Sequence, residues 1–139
     1  MTFAMDCAAL TQFLASDFAQ VADMFEVLEV TEAGLRVRLI VNDSHLRPGG
    51  TVSGPTMFAL ADVSVYLAIL SRIGPKALAV TTNCSIDFMR KPAAGCDLIC
   101  DVRLLKVGRV LAVADCLITS VGQGDPVARA SMTYSIPPK

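Results

Sequence analysis

The stretch GPTMFALADVSVYLAIL, Gly54 to Leu70, decides the fold. From Met57 to Leu70 every residue is apolar, counting Tyr66, except Asp62 and Ser64. A run of this length and composition predicts a helix buried on all sides. Pro55 suits the first turn, where no backbone N–H is needed, and IGPK (Ile73–Lys76) stops it, so the helix is expected from Pro55 to about Ser71. Asp62 is the anomaly. An unpaired carboxylate inside such a helix costs several kcal/mol or must take up a proton.

The flanks say what wraps this helix. Asp6–Phe18 reads as a short amphipathic helix, with Leu10, Phe13, Leu14 and Phe18 at i, i+3, i+4 and i+8. A strand is expected around Met24–Thr31, with a turn at Glu32–Gly34. Leu35–Val41 then returns with Leu35, Val37, Leu39 and Val41 on one face and Arg36 and Arg38 on the other. Asn42–Pro55 is rich in loop residues. Beyond the helix, Ala77–Arg90, Asp97–Lys106, Arg109–Val121 and Val127–Ile136 read as strands, and the short turns VG and GQGDP join the last three into a meander. The expectation is one α+β domain over residues 1–139, an antiparallel sheet wrapped around one long central helix.

Composition narrows the functional classes. The chain has 139 residues, 53% of them hydrophobic and 18% charged, which leaves little polar surface for a monomer and predicts a homo-oligomer. A net charge of −1 with scattered Lys and Arg argues against nucleic acid as partner. The apolar stretch falls short of the roughly 20 residues that span a bilayer and Asp62 interrupts it, so no membrane partner is expected. The N-terminus MTFAMD has no basic region before an apolar core and does not read as a secretory signal. Five cysteines without a C-x-x-C pair fit a reducing, cytoplasmic setting. Cys96 and Cys100 are joined by a single histidine in the whole chain, so no metal site is expected and the cysteines read as small buried side chains.

The segment HLRPGGTVSGPTMFALAD, His45 to Asp62, together with the order of elements, resembles the hotdog fold and within it the PaaI-like acyl-CoA thioesterases. His45 matches the family's leading histidine, Gly50 its lone glycine, Gly54 the first helix glycine and Asp62 the acid eight positions on. Three positions depart: Arg47 stands where asparagine is common, Ser53 replaces the motif histidine and Pro55 the second glycine. The resemblance implies thioester hydrolysis, a dimer or dimer of dimers, and no cofactor beyond the coenzyme A of the substrate. It also implies that a Ser or Thr on the strand after the helix orients the attacking water; Thr81 fits that place, with Thr82 beside it.

The chemistry stands on its own terms. A helix N-terminus offers unpaired N–H groups and partial positive charge to an oxygen gaining negative charge. Gly54, lacking a side chain, lets a carbonyl approach. Asp62 can activate water or attack the carbonyl itself. The two lie eight residues apart, about 12 Å along one helix, too far to share a carbonyl. A working site therefore needs Gly54 of one chain facing Asp62 of another, which predicts a two-fold dimer with shared sites.

Substrate-binding candidates follow from position. Ser53 can offer a hydroxyl or cap the helix. His45 reads as a brace for the loop rather than part of a Ser-His-Asp triad, since there is no G-x-S-x-G elbow. Arg47 can contact the acyl or pantetheine portion. Arg90, Lys91, Lys106 and Arg109 lie at strand ends and turns, where cations can hold the phosphates of coenzyme A. Met57, Phe58 and Phe88 are candidates to line an acyl pocket, with Pro55 at its edge. Two rival readings remain. One is a hotdog protein that binds acyl-CoA without cleaving it; the other is a hydroxyacyl-thioester dehydratase using His45.

Overall fold

A computed structural model describes residues 3–76 and 78–138. Helix α1, Cys7–Asp17, begins where the Asp6 side chain accepts the Ala9 N–H at 2.9 Å, and it buries Leu10, Phe13 and Leu14. Strands β1 (Phe25–Val30) and β2 (Gly34–Leu39) form the expected hairpin. Gly34 is obligatory there, because a Cβ would stand 1.8 Å from the Val102 carbonyl oxygen on the neighbouring strand. Helix α2 runs over Gly54–Ile73 and ends at Gly74, whose φ of 89° suits glycine.

Strands β3 (Val80–Phe88), β4 (Leu98–Val107), β5 (Leu111–Ser120) and β6 (Pro126–Ser135) complete one antiparallel sheet in the order β1-β2-β4-β5-β6-β3. The strand expected at Ala77–Arg90 thus begins at Val80 in the structure, and Ala77 itself lies outside the described residues. The inner face of β4–β6 carries small side chains, with Cys100, Ala112, Ala114, Cys116, Ala128 and Ala130 all buried. The larger Leu60, Leu67, Ile69 and Leu70 of α2 are all fully buried.

Two results correct the sequence reading. At 20 residues α2 is longer than the apolar run suggested, and by length and composition it is sufficient to cross a bilayer. Here it is instead a core helix, packed against the sheet. The segment expected as plain loop holds a short 3₁₀ turn, Asp43–His45, whose capping box uses the Asn42 side chain and the His45 ring.

The two sheet edges differ. β1 is backed by α1, and among the described residues β3 has no neighbour beyond it, with Val80 56% and Phe88 52% exposed at its ends.

Candidate active site

Asp62 escapes the cost of burial through two hydroxyls. Thr81 Oγ1 donates to Asp62 Oδ1 at 2.5 Å, and Tyr134 Oη donates to the same oxygen at 2.6 Å. Both fall in the range of charge-assisted O–H···O⁻ bonds, about 2.5–2.7 Å. The carboxylate also stands at the wall of a cleft of about 350 Å³, lined by Phe18, Val63, Tyr66, Val80, Thr81 and Tyr134 among others. Tyr134 packs its ring against Tyr66, centroids 6.1 Å apart. Burial first, then the hydrogen bond and charge of Asp62, push the Tyr134 hydroxyl far above its ordinary range, so it remains a donor. Cys84, also on β3, feels the same setting: burial, then the Asp62 charge, pushes its thiol up.

Gly54 lies in a different cleft. It opens α2, with Ser53 as N-cap accepting the Thr56 N–H at 3.3 Å. The Gly54 N–H has no partner among the described residues, as expected for a first-turn donor. Its cleft, about 400 Å³, is lined by Arg47, Met57, Phe88, Arg90 and Lys91 with neighbouring apolar residues. Five of the residues anticipated from the sequence thus meet around one unpaired N–H group.

Others are placed elsewhere. The Ser53 hydroxyl is used as a cap and contacts Thr56 Oγ1 at 2.9 Å. Pro55 sits in the first turn of α2. His45 is buried; its Nδ1 accepts the Asn42 N–H at 3.0 Å and its carbonyl accepts the Ser53 N–H at 2.9 Å, so it braces the segment before α2. That engagement leaves it lining neither cleft, which weighs against the dehydratase reading. Thr82 occupies a bulge in β3 and donates to the Thr133 carbonyl at 3.2 Å rather than facing Asp62. Phe58 lines neither cleft.

The four rim cations do not form one patch within a chain. Arg90 and Lys91 follow β3 at the Gly54 end, where Arg90 donates to the Pro126 carbonyl at 2.7 Å. Lys106 and Arg109 flank the β4–β5 turn, which lies at the Thr81 end because Thr81, Tyr134 and Ala112 pair across the sheet. There Arg109 joins Ile73, Lys76 and Val110 around a separate apolar groove.

Sequence reasoning missed Tyr134 and Tyr66. A signal was available: they are the chain's two tyrosines, and Tyr66 stands four residues after Asp62, on the same helix face.

The family model of the thioesterase superfamily matches residues 49–127, a span holding both Gly54 and Asp62. The chain belongs to the thioesterase superfamily. Among solved structures it is similar to a provisionally named thioesterase from Silicibacter sp. TM1040, 54% identical, with a TM-score of 0.92 over 99% of this chain and 96% of that one. The phenylacetic acid degradation protein PaaI of Thermus thermophilus is 26% identical, TM-score 0.73, over 86% of this chain and 99% of its own. A Streptococcus mutans protein crystallised with acetyl-CoA is 27% identical, TM-score 0.72, over 83% and 90%. The hotdog architecture, its sheet curved around one central helix, is therefore that of thioesterase relatives.

Proposed function

We propose that this chain is an acyl-CoA thioesterase whose reaction centres form between two copies. Gly54 N–H of one copy polarises the thioester carbonyl and Asp62 of the other acts on it. In the water route, Asp62 takes a proton as the water oxygen bonds to the carbonyl carbon. The C–S bond then breaks, and the sulfur leaves as the free thiol with that proton. In the direct route, Asp62 bonds to the carbon as the C–S bond breaks and the thiolate leaves; water then cleaves the anhydride, giving its hydroxyl to the acyl carbon and its proton to the thiolate and returning Asp62 as the free carboxylate.

One observation carries this reading: Gly54 and Asp62 mark opposite ends of the bare β3 edge. Phe88, whose ring lies over Gly54, ends the strand, and Thr81, bonded to Asp62, stands near its start. An antiparallel two-fold pairing of two such edges sets the Phe88 end of one copy against the Thr81 end of its partner. The Arg47, Arg90 and Lys91 cluster beside Gly54 supplies charge for the coenzyme A phosphates, and the acetyl-CoA bound by the Streptococcus mutans relative supports that ligand class. The substrate's coenzyme A is the only cofactor the reading needs. Further association into a dimer of dimers and a cytoplasmic setting complete it.

Complementation tests it. Asp62→Ala and Gly54→Leu, each alone, are expected to abolish thiol release from a panel of acyl-CoAs while leaving the fold intact. Mixed and refolded together, the two variants recover part of the activity, because one centre in a mixed dimer draws an intact Gly54 and an intact Asp62. No recovery in verified mixed dimers rejects the shared site; full turnover by Asp62→Ala rejects the assignment of Asp62. The structure also favours one rival: the Ser53 hydroxyl, standing where the family has histidine, is consumed by capping. Saturable acyl-CoA binding with no thiol released would identify a binding protein.

A further inference from the structure

Asp62 has two carboxylate oxygens, and the protein treats them unequally. Thr81 and Tyr134 both donate to Oδ1, and among the described residues nothing donates to Oδ2. The same Tyr134 hydroxyl lies 2.9 Å from the Asp62 backbone carbonyl, so its one proton is shared between that oxygen and Oδ1. Its own ring is held in turn. Tyr134 is buried on β6 and stacks on Tyr66 at an interplanar angle of 25°. Tyr66 then meets Phe13 at 6.1 Å and Phe18 edge-on at 6.3 Å. The grip therefore leads back through packed rings to α1. Thr81 holds the same oxygen from the neighbouring strand, β3, which pairs with β6 at Thr81↔Tyr134.

We propose that Tyr134 is a positioning residue that, with Thr81, pins Oδ1 of Asp62 and leaves Oδ2 as the oxygen that meets the attacking water or the thioester carbon. This rests on the thioesterase reading above. Its physical content is that two short donors hold the carboxylate in one orientation. The free oxygen is then presented in one orientation, without the rotational search an unheld carboxylate would make. The arrangement also defines what Thr81 does, since its hydroxyl proton is spent on Asp62 and is unavailable to water while that bond holds.

The test compares Tyr134→Phe, Thr81→Val, the double variant and Asp62→Ala on one acyl-CoA substrate. Phenylalanine keeps the ring stack on Tyr66 and removes only the hydroxyl. The expected result is a loss of kcat of roughly tenfold to a hundredfold with KM within about twofold, the size of a lost hydrogen bond to a charged group. The double variant departs from the product of the single losses, because both act on one oxygen. A tyrosine that only packs would lower thermal stability and leave kcat unchanged, and that result overturns the proposal. Should Tyr134→Phe fail to fold, Thr81→Val alone reads the same loss of kcat at unchanged KM from a half-buried strand position. Unchanged kcat in both variants beside an inactive Asp62→Ala overturns the positioning role but not the site. An active Asp62→Ala overturns the thioesterase reading itself.

Discussion

Phe88, the last residue of β3, lies so close over Gly54, the first residue of α2, that a methyl group on Gly54 would stand 3.3 Å from the ring's Cζ. Gly54→Ala keeps the backbone N–H but must displace the ring by a few tenths of an ångström. The substitution is expected to lower kcat/KM by about tenfold, the scale of a weakened oxyanion donor, with little change in melting temperature. Steady-state kinetics beside a thermal melt check it; unaltered kcat/KM would separate Gly54 from the chemistry.

Acid sensitivity should centre on Asp97. Its Oδ1 accepts the Val41 N–H at 2.9 Å, and its Oδ2 meets Arg38 Nη2 at 2.8 Å. The backbone donor first, then Arg38, hold this carboxyl below the usual carboxylate range against the opposing effect of burial. A lowered folded value means the stabilisation is complete above the unfolded value, about pH 4, and is lost as the pH falls through the folded one. Asp97→Asn is therefore expected to be less stable than the parent at pH 7 and to show a shallower decline below about pH 4. Urea melts across that window measure both.

The alkaline side depends on the tyrosines. Burial is the leading cause that raises both, with the Asp17 charge adding for Tyr66 and the Asp62 bond and charge for Tyr134. Because the chain has two tyrosines in all, no tyrosine of the native protein should titrate at its ordinary value. Raised folded values mean stability is intact below about pH 10 and falls as the pH climbs past it, when only the unfolded chain gives up its protons. Tyrosinate absorbance should appear together with the loss of far-ultraviolet structure. A native-state titration near the ordinary tyrosine value would contradict this.

The core should respond as a tightly packed one. Leu67 is wholly buried in α2. Leu67→Ala is expected to cost about 2–5 kcal/mol, read as a shift in the urea midpoint.

How far the sequence spoke depended on the range of the interaction. The α2 core run, the β1–β2 hairpin and the β4–β6 meander were legible because alternation, helical spacing and turn chemistry are local. Asp62 and Gly54 stood out for the same reason, one as a charge in an apolar run and one at a helix start. One partner of Asp62 did not: Tyr134 lies 72 residues away on β6, whose neighbour β3 crosses to the far edge of the sheet. No local pattern records that crossing. It also decides which turns share an end of the sheet, which is why Arg90 and Lys91 part from Lys106 and Arg109. The His45 ring serves a capping box that sequence spacing alone did not reveal.

If two copies pair as proposed, the β3 edge, bare among the described residues, makes catalysis a matter of mass action. Under the proposed pairing a solitary chain owns only halves of two reaction centres, so specific activity should fall on dilution in step with the population of paired chains. The same edge, left unpaired, is a template for foreign strands. Assembly would then both complete the enzyme and retire its chief aggregation hazard, linking turnover to solubility through one row of backbone amides.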